Sequence, residues 1–285
     1  LPQAAPTVLF VTVGYFYGGK WFSCLDKLHE VEAGLPTLEQ TIIVPYAHKG
    51  RSKEEAQGPH PQTLWSDFLK TYSPKAIDFP SHSFDHPWYI LYSSGTTGKP
   101  KCIVHRSGGV LLKHLVEHRL QSDIKAEDRV FYYTTTGWMM WNWLVSALAS
   151  QATVILYDGS PFYPNPTALF DLADELSITL FGISAKYVDA CANADISPIE
   201  THDLSSIRTI CSTGSTLVGE GFDYVYQKVK KDVHLQSMSG GTDLCGCLVA
   251  VSYTHLRAHE TRQDRVLPVL GLKKKRGGVG GGGGG

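Results

Sequence analysis

Between Tyr89 and His105 the chain reads YILYSSGTTGKPKCIVH, two short apolar runs around a loop of small and hydroxyl-bearing residues that ends in two lysines. Gly95 and Gly98 permit positive φ and close approach of a ligand to the backbone. Ser94, Thr96 and Thr97 supply hydroxyl donors, and the N–H groups between the glycines can form an anion nest. Lys99 and Lys101 add positive charge. These residue types at this spacing suit a polyphosphate, whereas a plain Gly/Ser turn between two strands needs neither the hydroxyls nor the lysines. A Walker loop is excluded by spacing, because only Thr96 and Thr97 separate Gly95 from Gly98. Pro100 also stands where that motif needs a magnesium-binding hydroxyl, and a strand-like run follows it where the motif needs a helix.

Three further segments carry unusual chemistry. In Ser239-Gly-Gly-Thr-Asp243 a threonine hydroxyl stands beside a carboxylate after two glycines. Thr242 can bond a phosphate oxygen, and Asp243 can hold Mg²⁺, which takes one or two carboxylates plus phosphate oxygens; an Asx-type turn is the plainer reading. Ser212-Thr-Gly-Ser-Thr216 reads by itself as a strand-to-helix turn. Thr134–Trp143 is dense in large apolar side chains, including Trp138, Met139, Met140, Trp141 and Trp143, which core packing of a buried helix would explain.

The elements that must position these loops alternate. Strands are expected at 8–13, 41–46, 129–134, 152–157, 179–181, 206–211 and 233–238, with a hairpin turn at Gly18-Gly19. Helices are expected at 21–32, 109–121, 138–150, 168–176, 185–194 and 217–230; the second would put Val110, Leu111, Leu115 and Leu120 on its apolar side. The residues after Tyr46 read as a surface connection with one short helical patch at 64–70. Strands alternating with helices of about ten residues imply an α/β fold with parallel pairing. Ligands of such sheets bind beyond the carboxyl ends of the strands, where all three segments are expected.

From Tyr92 to Lys101 the chain resembles the phosphate loop of the adenylate-forming superfamily of acyl-CoA synthetases, luciferases and peptide-synthetase adenylation domains. Cys102 departs from it, since many members have Gly there. The resemblance covers 8–247 and implies part of that fold's large N-terminal domain, with mixed or parallel sheets flanked by helices. It implies that Ser94, Gly95, Thr96, Thr97, Gly98, Lys99 and Lys101 hold ATP phosphates. Gly214 and Ser215 would line the adenine, Thr242 would hold the α-phosphate and Asp243 the Mg²⁺, with Thr242 and Lys99 as the catalytic pair. Gly137, Trp138, Met139 and Trp141 would line the carboxylate pocket, where bulky tryptophans favour a small acid. Ser239, Asp243 and Thr216 stand where the family often has an aromatic residue, Glu and Pro; His105 matches a frequent His, although a surface histidine explains it equally well. Within the family these segments look closest to the branch that joins acetoacetate to CoA using ATP. Synthetases for acetate or propionate, and a non-catalytic nucleotide-binding module, are the alternatives. The family's ribose-binding Asp, hinge Arg and small C-terminal domain with its Lys have no counterpart in 251–285, so the expectation is a fragment inactive by itself.

Composition sets further bounds. The 285 residues carry 26 Lys and Arg against 27 Asp and Glu, which gives no electrostatic case for nucleic acid or a membrane surface. No basic-then-apolar leader opens the chain, and the six cysteines, mostly scattered in apolar segments, fit a reduced, cytosolic protein rather than a disulfide framework. No obligate protein partner is expected. The organisation expected is a partial nucleotide-binding domain over 1–250 and a tail, 251–285, without helical or strand periodicity. The tail resembles a translated adapter read ending in a single-base run; a basic Gly-rich RNA-binding tail is the alternative. Cys245-x-Cys247 with His255 and His259 imitates zinc-ligand spacing, which is coincidence if the tail is foreign.

Overall fold

The computed structural model describes residues 4–46, 60–93, 98 and 100–251. It divides into two compact units, Leu1–Arg106 with Asp158–Asn165, and Ser107–Tyr157 with Pro166–Gly285.

In the first unit, β1 (Val8–Thr12) leads into a hairpin of β2 (Gly14–Tyr17) and β3 (Lys20–Ser23). Its two-residue turn puts Gly18 at φ +56° and Gly19 at φ +75°, the doubly left-handed turn whose twist matches that of paired strands. The hairpin register, Phe16↔Trp21 and Tyr15↔Phe22, commits Trp21 to a strand. The helix expected from Trp21 is therefore displaced: α1 spans Leu28–Ala33, after a 3₁₀ turn at Leu25–Lys27. β4 (Gln40–Val44) pairs in parallel with β1 and with β5 (Gln62–Leu64), a strand inside the stretch read as a connection. Glu32 of α1 is fully buried and accepts the Thr41 hydroxyl at 2.5 Å, which ties the helix to β4. After α2 (Trp65–Lys70), β6 (Pro87–Ser93) and β7 (Lys101–Arg106) form an antiparallel pair that carries the hydroxyl-rich loop between them.

In the second unit, α3 (Ser107–Val116) continues as a π turn over Glu117–Gln121. There follow β8 (Arg129–Tyr132), α4 (Met139–Ser146), β9 (Thr153–Ile155), α5 (Ala168–Glu175), β10 (Leu180–Ser184), α6 (Ala185–Asn193), α7 (Pro198–Thr201), β11 (Thr209–Thr213), α8 (Gly219–Tyr224), β12 (His234–Gly241) and β13 (Gly246–Val251). The sheet order is β13-β12-β11-β10-β8-β9. All pairs are parallel except β12–β13, so the sheet is mixed, and β13 was not expected from the sequence. β9 lies at the edge and is only partly buried, unlike the buried strand expected there.

Alternation along the strands supplies both faces of this sheet. Phe131, Phe181, Ile183 and Ile210 join residues of α5, α6 and the α8 region in one core. Val130, Tyr132, Leu180, Cys211 and Met238 join Met140, Trp143 and Leu144 of α4 in the other. At the base of the sheet, Arg208 Nη2 reaches both carboxylate oxygens of Asp128 at 2.6 Å.

Candidate functional site

The parallel strands bring three of the four chemistry-bearing segments to one edge of the second unit's sheet. β8, β11 and β12 run the same way, so the segments after Tyr132, Thr213 and Gly241 emerge together at the carboxyl edge. β8 connects outward to β9 and the chain then returns past β8 to β10, which makes this edge a topological switch point, the usual ligand crevice of open α/β sheets.

After β8, Thr135, Thr136, Gly137 and Trp138 are exposed, and Trp138 keeps 55 % of its surface as the N-cap of α4. Met139 and Trp141 are half-buried, whereas Met140 and Trp143 are core residues. The tryptophan-rich run therefore divides: Trp138 is exposed, Trp141 is half-buried, and Trp143 packs the interior. After β11, Gly214 adopts φ +86°, and Gly214, Ser215 and Thr216 are exposed. α8 begins only at Gly219, so this is a longer loop than a direct strand-to-helix turn. The Thr213 hydroxyl donates to the Met238 carbonyl at 3.2 Å and ties the end of β11 to β12.

β11 pairs with β12 as far as Ser212↔Ser237, while β12 runs on to Gly241 and turns back into β13. The β12–β13 hairpin thus extends past the edge and carries Thr242, half-buried, and Asp243, exposed, at its tip. Among the described residues no group of three His, Cys, Asp or Glu side chains forms a metal centre. A lone exposed carboxylate suits Mg²⁺ that completes its shell with phosphate and water oxygens.

In the first unit, Gly98 (φ +149°) and Lys101 of β7 are exposed. Ser94, Gly95, Thr96, Thr97 and Lys99 lie outside the described residues, as do 252–285, with His255 and His259. His105 is 7 % exposed and so is not a surface histidine.

Sequence reasoning missed a buried polar cluster beneath the hairpin. The face of α3 was expected to bury Leu120, which instead is 79 % exposed, while His114, Glu117 and His118 are buried. The π turn over Glu117–Gln121 adds a residue to the last turn and rotates Leu120 away from the sheet. Glu117 Oε2 accepts Trp143 Nε1–H at 2.9 Å, and Glu117 Oε1 accepts the Cys247 N–H at 3.0 Å. Lys113 Nζ lies 2.9 Å from Glu117 Oε1 and donates to the Cys247 carbonyl at 2.7 Å. His114 Nε2–H donates to the Cys245 carbonyl at 2.5 Å, and its Nδ1 lies 2.8 Å from Ser146 Oγ. The spacing of Lys113, His114 and Glu117 puts them on one helix face, a signal that their polarity hid. Burial and the Glu117 carboxylate push the Cys245 and Cys247 thiols up to about 12.

Burial, reinforced by the nearby His114, lowers His118 from its ordinary value to about 3, with its ring edge-on to Trp143 at 4.2 Å. The folded chain therefore binds this proton less well than the unfolded one. The stability involved is complete above about pH 6.5 and is lost as pH falls toward 3, with a limiting slope of about 1.4 kcal/mol per pH unit. Urea midpoints are expected to drop between pH 6.5 and 4 in the wild type and to drop less in His118→Leu. Equal slopes would place the acid sensitivity elsewhere.

A family model described as AMP-binding enzyme matches residues 1–273. An acetoacetyl-CoA synthetase of Gallus gallus is 44 % identical over 256 residues, 88 % of this chain and 38 % of that protein. An acetoacetyl-coenzyme A synthetase of Rhizobium meliloti (strain 1021) is 48 % identical over 247 residues, 87 % of this chain and 37 % of the relative. The solved acetoacetyl-CoA synthetase from Streptomyces lividans superposes with a TM-score of 0.78 at 40 % identity, over 88 % of this chain and 38 % of its own. The chain spans little more than a third of the length of these relatives.

Proposed function

The chain belongs to the AMP-binding enzyme family, and on that premise we propose that it forms part of an ATP-dependent acid–thiol ligase acting on acetoacetate. Acetoacetate, ATP and CoA would give acetoacetyl-CoA, AMP and pyrophosphate. In the first half-reaction a carboxylate oxygen attacks the α-phosphorus and pyrophosphate leaves. In the second, the CoA thiolate attacks the acyl carbon and AMP leaves. Catalysis of this kind rests on positioning and charge neutralisation. The observation that carries the reading is the gathering of the Gly137–Trp141, Gly214-Ser215 and Thr242-Asp243 segments at one carboxyl edge of the sheet.

The roles divide by chemistry. Gly214 and Ser215 face the adenine, and the Thr242 hydroxyl donates to an α-phosphate oxygen. Asp243 holds Mg²⁺, which neutralises phosphate charge when bound. Ser94, Gly95, Thr96, Thr97, Gly98, Lys99 and Lys101 hold the outer phosphates. Trp138 and Trp141, with Gly137 and Met139, shorten the acid pocket. Acetoacetate, ATP and CoA are the partners of this reading; it needs neither nucleic acid nor another protein, and it fits a cytosolic enzyme. Among the described residues no helix is long and apolar enough to cross a membrane.

The test is exchange of labelled pyrophosphate into ATP with acetoacetate, acetate and propionate. It is run on this chain and on the chain completed with the flanking segments of the Rhizobium meliloti relative. The completed protein is expected to exchange best with acetoacetate, and Asp243→Ala is expected to lower the rate at least tenfold at limiting Mg²⁺. The 285-residue chain alone is expected to bind ATP without exchange. Exchange driven equally by acetate would assign a different acid, and none from the completed protein would favour a nucleotide-binding module.

A further inference from the structure

We propose that Lys113 and His114 of α3, with Glu117 of the π turn that continues it, are positioning residues for Thr242 and Asp243, holding the far arm of the β12–β13 hairpin so that its tip meets the α-phosphate. The inference rests on the reading of Thr242 as an α-phosphate ligand.

The near arm of the hairpin is held by the sheet, through the pairing of β12 with β11. The far arm, β13, is an edge strand whose one sheet neighbour among the described residues is β12. An open edge leaves backbone groups in need of partners. Here α3 supplies them. Both backbone groups of Cys247 are taken, the N–H by Glu117 and the carbonyl by Lys113. The Cys245 carbonyl is taken by His114. Cys245 and Cys247 directly follow the Thr242–Leu244 tip, so three side chains of one helix fix the residues on which its exit depends. The helix is itself anchored: Glu117 accepts Trp143 Nε1–H and His114 meets Ser146, both on α4.

The fit is close. A Cβ on Gly246 would lie 2.6 Å from Glu117 Oε1 and 2.7 Å from Lys113 Cε, so a side chain there would have to displace the ends of both. Cys245 adopts φ +48°, a conformation L-residues rarely take and one that needs support from its surroundings. α4 begins directly after Trp138, so the same helix pair braces the hairpin and the tryptophan-bearing segment.

The test compares binding of adenosine and AMP to the 285-residue chain by calorimetry. The ratio of the two affinities isolates the contacts made to the α-phosphate. The variants are Glu117→Gln, which keeps shape but sets an amide N–H against a donor, and Lys113→Met, whose side chain is one-third exposed in the wild type. Tyr224→Phe, which loses a hydrogen bond to the Ile196 carbonyl on the opposite face, is the control for general destabilisation. In the wild type, AMP is expected to bind at least tenfold more tightly than adenosine. Both α3 variants are expected to lose about a factor of ten of that preference with adenosine affinity unchanged, and Tyr224→Phe to keep it. Should Glu117→Gln fail to fold, Lys113→Met carries the same readout. Preserved preference in folded α3 variants would overturn the positioning role and leave the nucleotide reading standing. A wild type that binds AMP no better than adenosine would remove the reading of Thr242, and this inference with it.

Discussion

Replacing Glu117 with alanine is expected to lower the unfolding free energy by about 3–5 kcal/mol, the range for breaking a buried, hydrogen-bonded ion pair. The carboxylate is 2 % exposed and accepts from the Trp143 indole, the Cys247 amide and Lys113. Lys113 is one-third exposed and can turn to water, so its loss of a partner contributes least. The indole N–H and the amide N–H have no such recourse, and each orphaned buried donor costs about 1–3 kcal/mol. Trp143 is completely buried between His118 and Tyr132, so it cannot tilt toward a new acceptor. Urea unfolding of Glu117→Ala should show a lower midpoint with an unchanged slope. Glu175→Ala, at an exposed position of α5, should stay within about 0.5 kcal/mol of wild type. A Glu117→Ala loss below 1 kcal/mol would mean that this carboxylate does not hold the web together.

Gly182→Ala carries the second large effect. Gly182 sits in the middle of β10, between Tyr132 of β8 and Cys211 of β11. A Cβ there would lie 2.1 Å from Cδ2 and 2.4 Å from Cγ of the Tyr132 ring. That ring is 4 % exposed and meets Trp143 edge-on at 5.7 Å, so it has no free direction in which to move. One added methyl in such a place is expected to cost about 2–3 kcal/mol, from overpacking. The displaced ring belongs to the last residue of β8, so the variant should also disturb the segment that leads to Trp138. The companion Tyr132→Leu/Gly182→Ala, which removes the ring the methyl would strike, is expected to recover part of the loss. If Gly182→Ala unfolds at the wild-type urea midpoint, the close contact of glycine and ring is wrong.

How much of this was legible in the sequence depends on the range of the interactions involved. The alternation of strands and helices in the second unit could be read directly, because period-2 and period-3.6 patterns are local. Trp21 was misread because helical spacing of Leu25, Leu28 and Val31 says nothing about a hairpin partner five residues back, and the pairing Phe16↔Trp21 overrode it. β5 was missed because three residues cannot display a period, and its strand character comes from its place beside β4. β13 was missed for a related reason, since it is a strand only as the return arm of a hairpin whose tip looked like a ligand loop.

The sequence by itself determined the chemistry on offer: the glycines and hydroxyls after Tyr92, the Thr242-Asp243 pair, the Gly214 turn and the tryptophans after Gly137, together with the α/β class that gathers strand-end loops at one edge. These are properties of residue type and short-range spacing, and both are written in the chain. Tertiary structure alone decided which of those side chains face outward: Trp138 is exposed and Trp143 is buried, although both belong to one apolar run. It also decided the partners of the polar groups. Lys113, His114 and Glu117 lie more than a hundred residues from Cys245 and Cys247, and no local pattern encodes a contact that exists only after the sheet has brought α3 and β13 together.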